Sequence, residues 1–455
     1  MRVLLISYLF PPFNTIGAVR TGKTAVYLTR FGHEVRVLTA ANQSLEASLP
    51  LEIPDANVTS TGWLNVNRPV ELALGGRRKV AIQGFTLSKG RHRGILGSLG
   101  AWYKTLFNFP DGQIGWLPFA VRAGNKLCRQ WRPDIILGSA LPMTSLLVAE
   151  RVARAHDIPW VAELRDLGVD GQNYEQPAWR QRIETAMERK TLASAAGFVT
   201  VSEPLADTLR AVYRKPISVV LNGYDPADYP ASASAAKEDD GIVRIVYTGM
   251  VYEGKQRVAP LFEALRNLGP LGSQVRVSFY GRYLQSVVGE AARLGVDRLI
   301  EIHQPVSHHE SLRLQCQADV LLLLLWNSER QAGVYTGKLF EYIGAKRPIL
   351  AIGAEPNVAA SMIAERNAGV VLNDTAAVLN QLRRWIKLKQ QQKCIPPIPA
   401  QAGHGLTREE QTRKLESFLK QMVEEPAKGN PRIDPRHNPV PASVVSRSPC
   451  RRASS

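Results

Sequence analysis

Gly333-Val334-Tyr335-Thr336-Gly337-Lys338-Leu339-Phe340-Glu341-Tyr342-Ile343-Gly344-Ala345-Lys346-Arg347-Pro348 follows an apolar run, Asp319 to Leu325, that reads as a strand. Thr336 stands where a helix N-cap is expected, and Leu339, Phe340 and Ile343 give a short helix an apolar side. Pro348 stops that helix, and Ile349-Leu350-Ala351 reads as the next strand. The order is strand, loop, helix start, return strand. The backbone N–H groups of Thr336, Gly337 and Lys338 would point out of the helix start, where a phosphate binds favourably. Gly337 leaves room for close approach. Glu341 sits about one turn deeper, where a carboxylate can accept two hydrogen bonds from a ribose diol.

The same pattern recurs along the chain. Val3 to Ser7 is a short apolar strand, Ala18 to Arg30 a helix, and Glu34 to Thr39 a second strand after the Gly32-His33 turn. Together they form a βαβ unit. The loop from Pro11 to Gly17 lies at the carboxyl end of the first strand, where open α/β sheets bind ligands. Gly17 would let a ligand approach the backbone, and Arg20 could reach a phosphate or an anionic acceptor. Strands follow at Asp134 to Gly138, Trp160 to Glu163, Gly197 to Val201 and Val219 to Leu221. Helices are expected at Met143 to His156 and Glu184 to Ser194, and Ser202 is read as a helix cap. Arg165-Asp166 stands at the end of one of these strands.

Ala231 to Gly241 is small, polar and charged, and reads as a linker. A second α/β unit starts with the strand Val243 to Thr248, followed by Gly249-Met250-Val251-Tyr252-Glu253-Gly254-Lys255. A strand, a glycine turn and a lysine in that order suit a phosphate. Arg282, after the strand Val275 to Tyr280 and Gly281, could add a second cation. His308-His309 starts a helix; neighbours in sequence face different sides, so the pair cannot hold one ion. Residues 41 to 116 read as irregular, with the basic clusters Arg77-Arg78-Lys79 and Arg91-His92-Arg93 among aromatics such as Trp102 and Phe107.

Length and charge agree with this layout. A chain of 455 residues that is 45% hydrophobic fits two domains with buried cores. A formal charge of +17, spread along the chain, suits phosphorylated substrates or an anionic membrane surface. No aromatic RNA-binding pattern or Cys/His metal cluster accompanies it, so nucleic acid is not expected. The four cysteines show no paired spacing and read as thiols of a reducing compartment, giving a cytoplasmic expectation. The apolar start meets Pro11-Pro12 too early for a signal peptide. No apolar run approaches the ~20 residues of a membrane-spanning helix.

Six segments in order resemble glycosyltransferase family 4: the Pro11-Pro12/Gly17 loop, Gly32-His33-Glu34-Val35, Arg165-Asp166, Asn222-Gly223-Tyr224-Asp225, Gly249 with Lys255, and Gly337-Lys338-Leu339-Phe340-Glu341-Tyr342. The last of these looks like a branch found in bacterial polysaccharide biosynthesis. The family carries two glutamates in this region. The second matches Glu341; the first falls at Gly333, which has no carboxylate. Met250 stands where the family usually has an Arg.

The resemblance implies a GT-B fold, two Rossmann-like doubly wound parallel-sheet domains facing a cleft. Residues 1–225 would form the acceptor side, 226–241 a linker and 242–400 the nucleotide-sugar side. A helix over 406–423 would cross back, and 426–455 would form a disordered tail. It also implies a retaining transferase, hexosyltransferase type, that moves a sugar from a nucleotide diphosphate sugar to a hydroxyl. Lipid-linked or polysaccharide acceptors suit that branch. Donor binding would fall to Gly17, Gly249, Lys255, Gly281, Thr336, Gly337, Lys338 and Glu341, with Lys255, Arg282 and Glu341 serving catalysis. Arg20 and Asp166 would face the acceptor or a phosphate. No Asp-x-Asp motif appears, so no metal or other cofactor is expected. Two rivals share the architecture: a nucleotide-sugar epimerase, and a non-catalytic membrane-docking relative.

Overall fold

The computed structural model describes residues 1–41, 43, 45–68, 108–166, 177–230, 240–326, 333, 335–353 and 356–424. The basic-aromatic clusters between Arg77 and Phe107, most of the linker and the residues after 424 lie outside them.

Two parallel sheets result. The first has the order β3-β2-β1-β4-β5-β6-β7. Its strands are β1 (Arg2–Ser7), β2 (Glu34–Ala40), β3 (Val58–Thr61), β4 (Ile135–Ser139), β5 (Trp160–Leu164), β6 (Gly197–Thr200) and β7 (Ile217–Val219). The second has the order β10-β9-β8-β11-β12-β13. It comprises β8 (Val243–Thr248), β9 (Val275–Tyr280), β10 (Ile300–His303), β11 (Val320–Leu324), β12 (Ile349–Ile352) and β13 (Gly369–Val371). Central strands such as β1, β4, β5 and β11 are buried on both faces, which explains why they are mostly apolar. Each sheet has an apolar cluster on either side.

Strand order reverses between β1 and β4 in the first sheet and between β8 and β11 in the second. Open α/β sheets bind ligands outside the carboxyl ends of the strands at such points. The loops following β1, β4, β8 and β11 therefore define where a site belongs.

The expected elements are present, and the structure adds to them or shifts them in several places. Residues 41–116 hold a strand after all: β3 pairs with β2 in parallel, Val37 beside Val58. Its Val-Thr-Ser-Thr sequence is half exposed at the sheet edge, so no apolar run marks it. An unanticipated helix, Leu117–Gln130, has Pro in its first turn, a position that tolerates it. It packs so closely on Met143–His156 that a Cβ at Gly124 would lie 2.7 Å from Val152. The strand expected at Val219 to Leu221 is Ile217–Val219 instead.

Helices are numbered here α1 (Ile16–Arg30), α2 (Leu117–Gln130), α3 (Met143–His156), α4 (Ala178–Ala193), α5 (Glu203–Tyr213), α6 (Ala259–Asn267), α7 (Gln285–Leu294), α8 (His308–Gln317), α9 (Gly337–Gly344), α10 (Val358–Glu365), α11 (Thr375–Gln392) and α12 (Arg408–Glu424). The last of these packs on the first half: Leu415, Phe418, Leu419 and Met422 join the cluster of Val3, Leu5, Val35 and Val37. Leu419 is fully buried. Leu419→Ala should cost about 2–5 kcal/mol, the range for a buried leucine cavity, measured by chemical denaturation. A cost under ~0.5 kcal/mol would mean that α12 is not docked there.

Candidate functional site between the two halves

On the first half, one buried ion pair gathers the strand ends. Arg20 of α1 is 2% exposed and donates from Nε to Glu163 of β5 at 2.8 Å. Its other nitrogens donate to the carbonyls of Val220 and Leu221 and to Asn222 Oδ1. Glu163 also accepts from Ser139 Oγ at the end of β4. Burial would raise its pKa, but Arg20, Arg165 and these hydrogen bonds hold the carboxyl below its ordinary range. Arg20 is therefore committed to the interior, which corrects its reading as a ligand of phosphate or acceptor. It joins α1 to the segment leading into the linker.

Arg165 leaves the same strand end. Its Nε donates to Ala140 O at 2.7 Å, and its Nη1 would lie 2.6 Å from a Cβ on Gly17. Gly17 thus makes room for a guanidinium of its own chain. Burial pushes the neighbouring Asp166 carboxyl up despite the charge of Arg165. Glu163 was the residue that sequence reasoning missed. One carboxylate inside the apolar strand Trp160-Val161-Ala162-Glu163-Leu164 was the available signal, since a buried charge demands a partner.

On the second half, α9 begins with Thr336 in extended backbone, and the threonine side chain makes no cap. The first N–H groups of α9 are left to water or a ligand. Lys338 Nζ lies 3.1 Å from Tyr247 Oη and 4.6 Å from the Tyr247 ring centroid. It covers Gly249: a Cβ there would meet Lys338 Cε at 2.6 Å. Gly249, at φ +120°, also packs on Gly281, whose added Cβ would fall 2.0 Å from Gly249 O. Both glycines answer a need of the backbone itself. Lys255 is exposed, with Nζ 4.8 Å from the centroid of Trp326, whose ring stacks on Tyr252.

Glu341 projects from α9 with a side chain 20% exposed. Oε2 accepts from Gln315 Nε2 at 3.0 Å, and Oε1 lies 3.4 Å from His308 Nε2. Gln315 is fully buried and donates as well to Thr248 Oγ1 at the end of β8. Burial alone would raise the Glu341 pKa; the hydrogen bond and charge of His308, with Gln315 and Lys338, bring it below the ordinary range. His309 is exposed on another side of α8, as the spacing required. Among the described residues no group of three His, Cys, Asp or Glu side chains could hold a metal ion.

The halves meet around these residues. A Cβ on Gly337 would lie 2.5 Å from Ile16 Cδ1, so the starts of α1 and α9 abut. Ser202 takes the N-cap position of α5 as expected, and its hydroxyl, which makes no cap bond there, donates to Gly333 O at 2.7 Å. Gly333 is thus a crossing point between halves. Arg282 reaches the opposite rim, with Nη2 3.2 Å from Glu46 Oε2 and both side chains more than half exposed. That placement differs from a role on a buried phosphate.

Residues 17–224 match the model of the family described as "Glycosyl transferase 4-like domain". Over that stretch the chain resembles a glycosyl transferase 4-like domain. No curated protein matches the sequence. Among solved structures, sucrose-phosphate synthase from Thermosynechococcus elongatus aligns with a TM-score of 0.61 at 12% identity, covering 93% of this chain and 99% of that one. Anabaena HepE in complex with UDP-glucose aligns at 0.58 and 12% identity, over 92% and 100%. A structure named "putative UDP-N-acetylglucosamine 2-epimerase from Listeria monocytogenes" aligns at 0.53 and 12% identity, over 93% and 97%. These likenesses establish the GT-B fold across the chain. They do not separate transferase from epimerase; the family match favours the transferase. The described residues contain no helix long and apolar enough to cross a membrane.

The buried pair gives a direct test. Arg20→Met leaves Glu163 uncompensated and should cost about 3–5 kcal/mol, whereas Arg20→Met with Glu163→Met should recover much of that loss. Denaturation of both variants measures it. A single variant as stable as the parent would contradict the geometry.

Proposed function

We propose that the chain is a retaining glycosyltransferase that binds a nucleotide diphosphate sugar between the halves and delivers the sugar to an acceptor hydroxyl. One observation carries the reading: a half-buried, ionised Glu341 one turn inside α9, in a glycosyl transferase 4-like chain. A carboxylate there suits the two hydroxyls of a ribose. The uncapped start of α9 and the ammonium of Lys338 suit the diphosphate, and Lys255 adds a second cation.

In the transfer, the acceptor oxygen bonds to the anomeric carbon and its proton passes to the departing diphosphate. The bond from that carbon to the diphosphate breaks, and the diphosphate leaves with the electron pair. Positive groups fixed beside the leaving oxygens lower the barrier because their orientation is set before the reaction. On this reading no divalent ion is required. The HepE structure holds UDP-glucose, which makes a nucleoside diphosphate donor a natural first probe.

Assays with EDTA throughout test this reading. Glu341→Ala should weaken UDP or GDP binding by about 1.5–3 kcal/mol. Lys255→Ala should reduce turnover of the nucleotide sugar far more than binding of the nucleoside. Unchanged affinity in a folded Glu341→Ala, or activity restored only by magnesium, would contradict it. Donor consumed without acceptor would indicate an epimerase.

The acceptor is proposed to be lipid-linked or a surface polysaccharide, met at an anionic membrane. The support is the +17 charge and the clusters Arg77-Arg78-Lys79 and Arg91-His92-Arg93 on the acceptor half. Each basic residue near such a surface contributes roughly 1 kcal/mol, screened by salt. Co-sedimentation should show binding to anionic but not neutral vesicles, lost at high salt. No binding at low salt would leave a soluble acceptor.

A further inference from the structure

We propose that His308 is the positioning residue of the ribose-binding carboxylate: it fixes Glu341 and keeps it ionised, so it sets the acid limit of nucleotide binding. The inference rests on the donor reading of Glu341 and assigns a role to the first of two adjacent histidines that no motif explains.

The geometry is that of a carboxylate held from two sides. Gln315 takes Oε2 and is itself anchored to Thr248, so this side is a rigid, neutral donor on α8. His308, two turns earlier on the same helix, takes Oε1. Its imidazole is 26% exposed, so it is shielded yet reachable by protons. Ser307 caps α8 by accepting from Glu310 N, which fixes the turn that carries His308. The backbone of Glu341 is held as well, since Tyr229 donates its hydroxyl to Glu341 O at 2.8 Å. Holding both the backbone and the carboxylate leaves little freedom in the side chain. The outward lone pairs of Glu341 remain for a diol.

The second half of the role is electrostatic. Glu341 is sheltered, and a sheltered carboxylate tends to take up a proton. A protonated Glu341 would accept less from a diol. The charged groups that face this pair are Lys338 on the same helix, Arg408 at the start of α12, and Asp228 beside the linker; Tyr229 is neutral. Arg408 opposes the protonation of His308 and Asp228 favours it. Among the described residues only His308 touches the carboxylate with a group whose charge changes near neutral pH. Despite its own burial, the hydrogen bond and charge of Glu341 raise the His308 pKa, so the two hold each other charged. Falling pH therefore reaches Glu341 late in the parent protein and early when His308 is replaced.

Two measurements test this on the full chain. Calorimetric titration with UDP and with GDP is run from acid to neutral pH on the parent, His308→Ala, His308→Gln and Glu341→Ala. His308→Ala should weaken nucleotide binding about fivefold at neutral pH. His308→Gln, which retains an N–H donor, should regain most of that affinity. Both substitutions should move the acid loss of binding to higher pH, a change that a merely structural role would not produce. An unmoved acid limb with intact binding overturns the inference and leaves the donor reading standing. Unaltered binding by Glu341→Ala, or no binding of either nucleotide to the parent, overturns both. The second measurement needs no nucleotide. In ring-labelled histidine NMR, Glu341→Gln should lower the titration midpoint of His308 and leave His309 unmoved. An unmoved His308 overturns the pairing, whatever the nucleotide results.

Discussion

The Arg20–Glu163 pair is the constraint on which the arrangement of the first half depends. An open parallel sheet leaves its strand ends as separate loops, and nothing in the ladder fixes how the chain departs toward the second domain. One guanidinium does so here. It reaches from α1 to β5 and to three consecutive residues after β7. Ser139 extends the network to β4. Two buried charges are costly to desolvate, and such a pair adds little net stability over apolar packing. Its gain is geometric, since a forked donor with several fixed acceptors admits one arrangement. Lys23, one turn along α1, repeats the device by binding Asp225 and Asp228 of the linker segment.

This tether bears on the site because the linker segment also touches the second half. Tyr229 bonds to the backbone of Glu341, and a Cβ on Gly344 would collide with the Tyr229 ring. A chain of contacts therefore runs from α1 through the linker to α9. The carboxylate proposed to bind ribose is placed by both domains, although it belongs to one. Among the described residues the direct crossings, such as Ile16 on Gly337, Ser202 on Gly333 and Arg282 on Glu46, are small contacts. Interfaces of that kind permit relative domain motion.

The fold was legible because its central strands are buried on both faces and so appear as short apolar runs between turn residues. β1, β8, β11 and β12 stood close to their expected limits. β3 escaped notice because an edge strand need not be apolar. α2 was hidden by its first-turn proline and by a mid-helix glycine that serves packing. The site was legible in part. The helix start that carries Gly337, Lys338 and Glu341 could be placed after its strand, since that geometry is local. Arg20 could not: its partners lie about 140 and 200 residues away, and the same side chain reads equally as a free cation. The partners of His308 and Ser202 escaped notice for the same reason. Those partners, Glu341 and Gly333, come from distant segments that only tertiary packing brings near.

Hydrogen–deuterium exchange with and without a saturating nucleoside diphosphate tests the central claim most directly. Bound nucleotide should slow exchange in two separate segments of the second half, Gly249 to Lys255 and Thr336 to Glu341. Exchange unchanged in both, or slowed only on the first half, would contradict a nucleotide site between β8, β11 and α9.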